Sequence, residues 1–379
     1  MARVGKLVNM GPNKTSLIGL SPAEIANALE LHPEGRKNPK LRAKQIAWNL
    51  YRRAELDFAN MAELPQDLRA ELNENFVAHP LHVAVHKEST DQVQKLLVHS
   101  GDHQLFECVL LPYDDRVSSC ISSQVGCPMG CRFCATGLGG FDRNLSSAEI
   151  VGQYIVLQKL TDRPISHVVF MGMGEPLLNL KTVVKSLQLL HDEIGLSYRR
   201  LTVSTVGIVP AIQELESLNL PIHLALSLHS PFDDVRAKLM PVNAKWPVSE
   251  AVNAMKSYQR KTGRKVTFEY LLIKDVTDTA DQAKEVAKLV AGFPSFVNLI
   301  PFNWVDTEQG FARPERTAIR QFREILERAG INVTERVERG HDIAAACGQL
   351  AGEHRNRFQK LNSLISKQQE RVAEEVLCE

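Results

Sequence analysis

The sequence predicts an α/β protein in which a short helical region precedes a parallel β-sheet. The chain has 379 residues, which suits roughly two to three domains. Its first part carries helical patterns, and from residue 117 onward short β-rich apolar runs alternate with helix-length segments. Such alternation favours right-handed βαβ units around a parallel sheet. Periodicity alone leaves open whether this sheet is doubly wound or forms a partial barrel.

The composition excludes several classes of protein. Hydrophobic residues make up 44% and charged residues 23% of the chain, which is typical of a folded globular protein and excludes whole-chain disorder. No apolar run approaches the roughly 18 residues of a membrane span, and the N-terminus lacks the apolar segment of a secretory signal. We therefore expect a cytoplasmic protein without a membrane partner. A net charge of +1 excludes a uniformly basic coat for nucleic acid.

Residues 1–92 are predicted to form a small helical accessory domain. Ser21 and Glu24 form a capping box with proline at the first helical position, and helical patterns also cover residues 40–53 and 66–76. Residues 1–53 contain ten lysines and arginines but only three acidic residues. On its own this basic excess favours ordinary solvated helix faces, and the alternative is a surface that binds nucleic-acid phosphates.

Residues 93–352 are predicted to form the main domain, and residues 353–379 a helical tail. Segments 93–99 and 104–111 predict a β-hairpin. The strands expected after it cover residues 117–124, 166–171, 201–206, 222–228, 266–273, 297–302 and 331–337. The helices expected among them cover residues 149–160, 180–192, 209–217, 248–261, 278–291 and 315–329. Capping boxes at Ser146–Glu149 and Ser230–Asp233 predict two helix starts. In such a sheet the chemistry belongs at the carboxyl ends of the strands.

Three of the seven cysteines predict a metal centre after the first parallel strand. Cys127, Cys131 and Cys134 follow one another with three and then two intervening residues. Three thiolates can hold three corners of a [4Fe–4S] cluster and leave the fourth iron open to a ligand. The alternative is a structural zinc ion with Cys120 as its fourth ligand, although the spacing fits paired zinc knuckles poorly.

Further motifs, in chain order, carry a resemblance to a known family. They are Cys120–Cys127, the Gly172-Met-Gly-Glu-Pro loop that runs to Asn179, Ser204–Gly207, Leu226–Pro231 and Ala346–Leu350. Together with the cysteine triad, this set resembles the RlmN/Cfr family of radical S-adenosylmethionine (SAM) RNA methyltransferases. The resemblance covers about Gln94 to Gly352. It implies a partial (β/α)6 barrel with a helical accessory domain that contacts RNA, and it implies a [4Fe–4S] cluster and SAM as cofactors.

The resemblance also implies roles for individual residues. Around SAM it places Gly174, Glu175, Ser204, Ser227, Leu228, His229 and Asn303. It implies that Cys347 carries a methyl group taken from one SAM, and that a radical made from a second SAM activates this group. The methyl carbon would then add to adenine. Cys120 would release the product by forming a transient disulfide with Cys347, and Glu107 would accept the proton that leaves the ring.

The resemblance implies C2 of adenine in 23S rRNA, and also in tRNA, as the methylated position. Methylation at C8, as in the Cfr branch, is an alternative within the family. A non-catalytic RNA-binding protein with an iron–sulfur or zinc site is an alternative from another class. A one-electron donor such as flavodoxin is the expected redox partner, and a monomer is the expected state.

Overall fold

A computed structural model describes residues 3–4, 14–100, 102, 104–305 and 309–350, and the predicted tail at 353–379 lies outside them. The strands are β1 Arg3–Val4, β2 Thr15–Ser16, β3 Phe76–Val77, β4 His82–Glu88, β5 Gln94–His99, β6 Leu105–Pro112, β7 Val117–Cys120, β8 Gln124–Gly126, β9 Phe141–Asn144, β10 Ile165–Phe170, β11 Leu201–Thr205, β12 His223–Ser227, β13 Val266–Leu272, β14 Ser295–Pro301 and β15 Val333–Glu335. The helices are α1 Pro22–Leu29, α2 Pro39–Ala47, α3 Gln66–Asn75, α4 Ala135–Leu138, α5 Ser147–Gln158, α6 Leu180–Asp192, α7 Val209–Ser217, α8 Asp233–Leu239, α9 Val248–Thr262, α10 Ala280–Val290 and α11 Arg316–Arg328.

The main sheet has eleven strands in the order β1-β4-β5-β6-β7-β10-β11-β12-β13-β14-β15. Strands β7 and β10 to β15 pair in parallel, and helices connect them. A doubly wound sheet reverses its strand order at a switch point, whereas this order follows the chain without a reversal. The parallel part is therefore singly wound, which agrees with the predicted partial (β/α)6 barrel and excludes the doubly wound alternative.

An antiparallel meander extends the parallel strands at one side. The predicted hairpin is confirmed as β5 and β6, and β6 pairs antiparallel with β7. Strand β4 joins this meander, although its sequence, with two histidines, a lysine and a glutamate, gave no strong strand pattern. Because β4 begins at His82, the sheet starts before the proposed domain boundary at residue 92. The division of the chain into domains stays a prediction.

The capping boxes have different outcomes. Those at Ser21–Glu24 and Ser146–Glu149 are confirmed, with both reciprocal hydrogen bonds present in each. The third was wrong, because helix α8 begins only at Asp233 and Ser230 does not cap it. Instead, Oδ1 of Asp233 accepts a hydrogen bond from the backbone N–H of Val248, 2.8 Å away, at the start of helix α9.

The helix-facing sides of the parallel strands form the centre of the hydrophobic core, where Tyr270 of strand β13 packs on Phe322 of helix α11 with ring centroids 4.9 Å apart. Their buried residues include Val168, Phe170, Leu224, Leu226, Phe268 and Leu299.

The helix predicted over residues 40–53 is confirmed as α2, which continues into a π-helical turn at Trp48–Arg52. No helix in the described ranges is long and apolar enough to cross a membrane.

Helix α5 holds the end of strand β7 in place through the buried side chain of Gln153. Its Oε1 accepts from the backbone N–H of Ser122 at 2.7 Å, and its Nε2 donates to the carbonyl of the same residue at 3.0 Å. The amide thus satisfies both backbone groups of a fully buried residue just beyond Cys120. A buried backbone group without a partner costs about 1–3 kcal/mol.

We expect Gln153→Ala to lower the free energy of unfolding by about 2–4 kcal/mol, because both groups of Ser122 lose their partner. Urea denaturation of the purified protein measures the change. Gln213→Ala, at an exposed position of helix α7, is the matched control and should change it by less than about 0.5 kcal/mol. Equal effects of the two substitutions would contradict this role of Gln153.

Candidate active site

The three clustered cysteines lie on one loop between strand β8 and helix α4. The backbone N–H of Cys127 donates to the carbonyl of Gly140 at 2.7 Å, and that of Cys134 donates to the carbonyl of Cys131 at 3.2 Å. Burial raises the pKa of Cys127 to about 12, and the neighbouring Cys134 adds to this rise. Burial also raises the pKa of Cys131 and Cys134, and the two neighbouring cysteines add to the rise at Cys131. Cys131 is buried and the other two are half-buried, so three thiolates at this loop need a positively charged partner, which a metal centre supplies.

Cys120 faces a different thiol. It ends strand β7 and lines a cavity together with Cys347, whose charge adds to the effect of burial and raises the pKa of Cys120 to about 12. Within the described residues, no three His, Cys, Asp or Glu side chains surround one point as ligands of a single ion. Both observations weigh against the zinc site with Cys120. In a [4Fe–4S] cluster each cysteine binds a different iron atom, so the three sulfur atoms need not surround a single point.

The loop after strand β10 needs its glycines for packing. Gly174 has a φ of +102°, which favours glycine, and a Cβ atom there would lie 2.6 Å from Cβ of Gln124. The backbone N–H of Glu175 donates to Oε1 of the same glutamine at 2.8 Å. These contacts hold the loop against strand β8, directly before the cysteine loop.

The carboxylate of Glu175 is buried and joins two strand ends. Its Oε1 accepts from the N–H of Leu177 at 3.1 Å, and its Oε2 accepts from the N–H of Val206, just beyond β11, at 2.9 Å. Burial raises the pKa of Glu175 to about 7, although these hydrogen bonds act in the opposite direction. The group is thus a capping residue of a short 3₁₀ helix and also a potential acceptor for a cationic ligand.

A cavity of about 160 Å³ lies at the carboxyl ends of the parallel strands, beside the cysteine loop. Six of the seven residues expected around SAM line it, namely Gly174, Glu175, Ser204, Ser227, His229 and Asn303. Leu228 does not line it, because its side chain is fully buried in the core. Its backbone N–H donates to the carbonyl of Glu269 at 3.0 Å.

His229 presents a defined proton to this cavity. Its Nδ1 accepts a hydrogen bond from the backbone N–H of Leu271 at 3.0 Å, so the neutral ring carries its proton on Nε2. The ring of Phe133 meets it edge to face, with centroids 4.8 Å apart. Burial, together with the positive charge of Arg236, lowers the pKa of His229 to about 3. The residue is therefore a neutral donor at physiological pH.

Asn303 lines both cavities and has an unused acceptor. Its Nδ2 donates to the carbonyl of Cys347 at 3.2 Å. Its Oδ1 is buried and has no hydrogen-bond partner within the described part of the chain. Buried polar atoms are almost always paired, so this oxygen fits a donor on a bound ligand.

The loop that carries Cys347 is tied to three separate parts of the molecule. Lys95 of strand β5 donates to the carbonyl of Ala344 at 3.0 Å, and the N–H of Ala135 in helix α4 donates to the carbonyl of Gly348 at 2.8 Å. Gln349 donates to the carbonyl of Trp304 at 3.0 Å. These bonds place Cys347 in the wall between the two cavities, both of which it lines.

Glu107 lies in strand β6, on the same face of the sheet as Cys120. The register pairs Val109 with Cys120, and Glu107 is two residues from Val109. Its carboxylate is 3.3 Å from Nζ of Lys95, and both side chains are buried. Glu107 does not line either cavity.

Sequence reasoning missed Arg336, which lines both cavities with Cys347. Its backbone N–H donates to the carbonyl of Leu299 at 2.8 Å, and Nη1 lies 3.8 Å from Sδ of Met171. The negative charge of Cys347 raises the pKa of Arg336 most, and Glu269 also raises it. One signal was available, because Arg336 falls directly after a short strand, at the edge of the sheet where the other site residues lie.

We expect His229→Asn to weaken the pH dependence of stability. His229 is neutral in the fold, so the stability it contributes is complete above the unfolded pKa of about 6.5 and is lost as pH falls towards 3. Urea denaturation of the apoprotein at pH 7.5, 6.5 and 5.5 should show the difference in free energy between wild type and variant narrowing by about 1 kcal/mol per pH unit below 6.5. A difference that stays constant with pH would contradict this.

Comparisons with known proteins agree with this geometry. The model of the radical SAM superfamily matches residues 121–290. The chain is 44% identical over 316 residues to the probable dual-specificity RNA methyltransferase RlmN of Carboxydothermus hydrogenoformans, covering 83% of this chain and 92% of the relative. It is 42% identical over 344 residues to the protein of the same name from Rhodopirellula baltica, covering 90% and 91%.

A solved structure is similar over most of the chain. It is a radical SAM methyltransferase from Sphaerobacter thermophilus, with a TM-score of 0.85 and 40% identity, covering 89% of this chain and 99% of that one. The residues present fit the cofactors of such enzymes, because three thiols share one loop and the adjoining cavity holds the unpaired Oδ1 of Asn303. The chain therefore belongs to the RlmN family of radical SAM RNA methyltransferases, enzymes that use a [4Fe–4S] cluster and SAM.

Proposed function

We propose that this enzyme transfers a methyl group from SAM to C2 of adenine in 23S rRNA and tRNA, by way of Cys347. The observation that carries the proposal is the position of Cys347 between two cavities. One cavity is lined by the residues expected around SAM, and the other by Cys120. The relatives' description as dual-specificity RNA methyltransferases supports two classes of RNA.

In this proposal Cys127, Cys131 and Cys134 hold the cluster, and the larger cavity holds SAM. When bound, these groups supply the methyl group and a 5′-deoxyadenosyl radical. The carboxylate of Glu175 would accept a hydrogen bond from the amino group of SAM. Oδ1 of Asn303 would accept a hydrogen bond from another donor on the same ligand. Ser204 and Ser227 would contact the rest of the SAM molecule, and Nε2 of His229 would donate a hydrogen bond to it. Leu228, which does not line the cavity, would support this wall from the core.

Cys347 acts as the methyl carrier. Adenine C2 is electrophilic, so it cannot attack the methyl group of SAM as an ordinary nucleophile does. The thiolate of Cys347 can make that attack. Loss of one hydrogen atom from the S-methyl group then gives a carbon radical that adds to C2, so RNA and protein become joined through the sulfur and a methylene carbon.

Glu107 and Cys120 resolve this adduct. The radical adduct would pass one electron back to the one-electron redox partner, and Glu107 would accept the proton of C2, which restores the aromatic ring. The thiolate of Cys120 attacks the sulfur of Cys347, and the sulfur–carbon bond breaks. The electron pair stays with the carbon, which takes up a proton and becomes methyl, and a Cys120–Cys347 disulfide remains. External reduction of this disulfide restores both thiols.

Arg336 supports the attack by Cys120. Burial and the charge of Cys347 both raise the pKa of Cys120, and the charge of Arg336 acts in the opposite direction. Once Cys347 is a neutral thioether, its repulsion is gone and the effect of Arg336 remains. The thiolate of Cys120 is thereby favoured at the stage when it is needed.

Other parts of the proposal concern partners. Basic residues within residues 1–53, such as Lys40, Arg42 and Lys44 of helix α2, are proposed to contact RNA phosphates. A flavodoxin-like protein is proposed to supply electrons. A monomer in the cytoplasm is the proposed working form. These points rest on the family and on the basic N-terminal segment.

The product identifies the reaction. Enzyme reconstituted anaerobically with iron and sulfide is incubated with SAM, a reductant and either unmodified 23S rRNA or tRNA, and the digested RNA is analysed by mass spectrometry. We expect 2-methyladenosine from both RNAs. An 8-methyladenosine product would place the enzyme in the C8 alternative, and SAM cleavage without any methylated base from either RNA would contradict the proposed substrates.

We expect Cys120→Ala to stop turnover after the adduct forms, because no thiolate remains to attack the sulfur of Cys347. Denaturing gels should then show RNA covalently joined to the protein, and digestion should locate the modified peptide at Cys347. The matched control is the double variant Cys120→Ala/Cys347→Ala, which should form no adduct. Release of methylated adenosine by the Cys120 variant at the wild-type rate would contradict the role of Cys120.

A further inference from the structure

Arg236 is a fully buried arginine beneath the cofactor residues. Its guanidinium donates four hydrogen bonds, to the carbonyls of Leu228 at 2.9 Å, Val206 at 2.7 Å and Ser227 at 3.0 Å, and to Oδ1 of Asn243 at 2.7 Å. The three carbonyls belong to the ends of strands β11 and β12 and the residues after them, where the SAM cavity is formed. Arg236 therefore fixes two of the strand ends that build that cavity.

The positive charge of Arg236 has no direct anionic partner. All four acceptors are neutral, and within the described residues no Asp or Glu forms an ion pair with the guanidinium. The carboxylate of Asp233 reaches it only through Asn243, whose Nδ2 donates to Oδ1 of Asp233 at 2.8 Å. A buried charge is costly unless an opposite charge balances it. A neutral side chain could also donate hydrogen bonds to these carbonyls, so this structural role alone does not explain a full positive charge.

The cysteine loop lies next to Arg236. The backbone N–H of Arg132 donates to the carbonyl of Leu239 at 3.0 Å, which joins the loop to the last residue of helix α8, the helix that contains Arg236. Among the opposite charges that act on Arg236, Cys131 has the largest effect and Asp233 follows. Cys131, one of the three cysteines of the loop, thus exerts the strongest effect of any negative charge on this arginine.

We propose that Arg236 is a positioning residue that also supplies the counter-charge of the iron–sulfur cluster. Its hydrogen bonds hold the strand ends, and its charge faces the cluster ligands from the protein side. Reduction adds one negative charge to the cluster, so a fixed positive charge nearby stabilises the reduced form and makes the reduction potential less negative. This inference does not depend on which RNA carbon is methylated.

The test measures the midpoint potential of the cluster in the reconstituted holoenzyme, by redox titration monitored with EPR and without RNA. Arg236→Gln removes the charge but keeps hydrogen-bond donors, and we expect a shift to more negative potential. Arg236→Lys keeps the charge, and we expect a potential close to wild type. Iron and sulfide content and thermal denaturation are measured in parallel for each variant.

Asp233→Asn provides a second test of opposite sign in case the arginine variants fold poorly. It keeps the oxygen that accepts from Asn243 and Val248 but removes a negative charge, so we expect a less negative potential. A purely structural role of Arg236 would change thermal stability and leave the potentials of Arg236→Gln and Arg236→Lys equal to wild type. That outcome, or a shift of Asp233→Asn in the negative direction, would overturn the proposal.

Discussion

The site depends on the hydrogen bond from the N–H of Ala135 to the carbonyl of Gly348. It joins the helix after the cysteine loop to the segment after the last strand, two regions far apart in the sequence. Thr136 adds a second bond to the carbonyl of Leu350 at 3.0 Å. These two bonds hold the segment of Cys347 against the helix that follows the cysteine loop, and so bring Cys347 into the wall between the two cavities.

The exclusion of water from the site governs the protonation states of its side chains. Burial raises the pKa of Glu175 to about 7 and of Cys120 to about 12, and it lowers the pKa of His229 to about 3. Each of these groups is thereby biased towards its neutral form. Positive charge is supplied by Arg236, which holds the strand ends beneath the cofactor cavity, and by Arg336, which lines that cavity. In such a medium a single fixed charge influences its neighbours far more than at the surface.

Local patterns were sufficient to predict most of the elements. The alternation of β-rich runs and helices located the parallel strands to within a few residues, because strand ends and helix caps have local signals. The choice between a doubly wound sheet and a partial barrel needed the strand order, which is a property of the whole chain. Strand β4 was missed because its half-buried residues do not alternate clearly between apolar and polar. The capping role of Asp233 was misassigned because its partner, Val248, is distant in sequence.

Site residues divide in the same way. The cysteine triad and the Gly174–Glu175 loop carry their signals in short motifs. Arg236 belongs to no such motif, and for Arg336 the one signal was its place directly after a short strand. The structure also adds a constraint on Cys347 that no motif conveys. Hydrogen bonds on both sides fix its backbone, through Lys95 at Ala344 and Asn303 at its own carbonyl. Its sulfur is therefore left with rotation about the Cα–Cβ bond, which has three staggered positions. A single side-chain rotation can thus change the cavity that the sulfur faces without any movement of the loop.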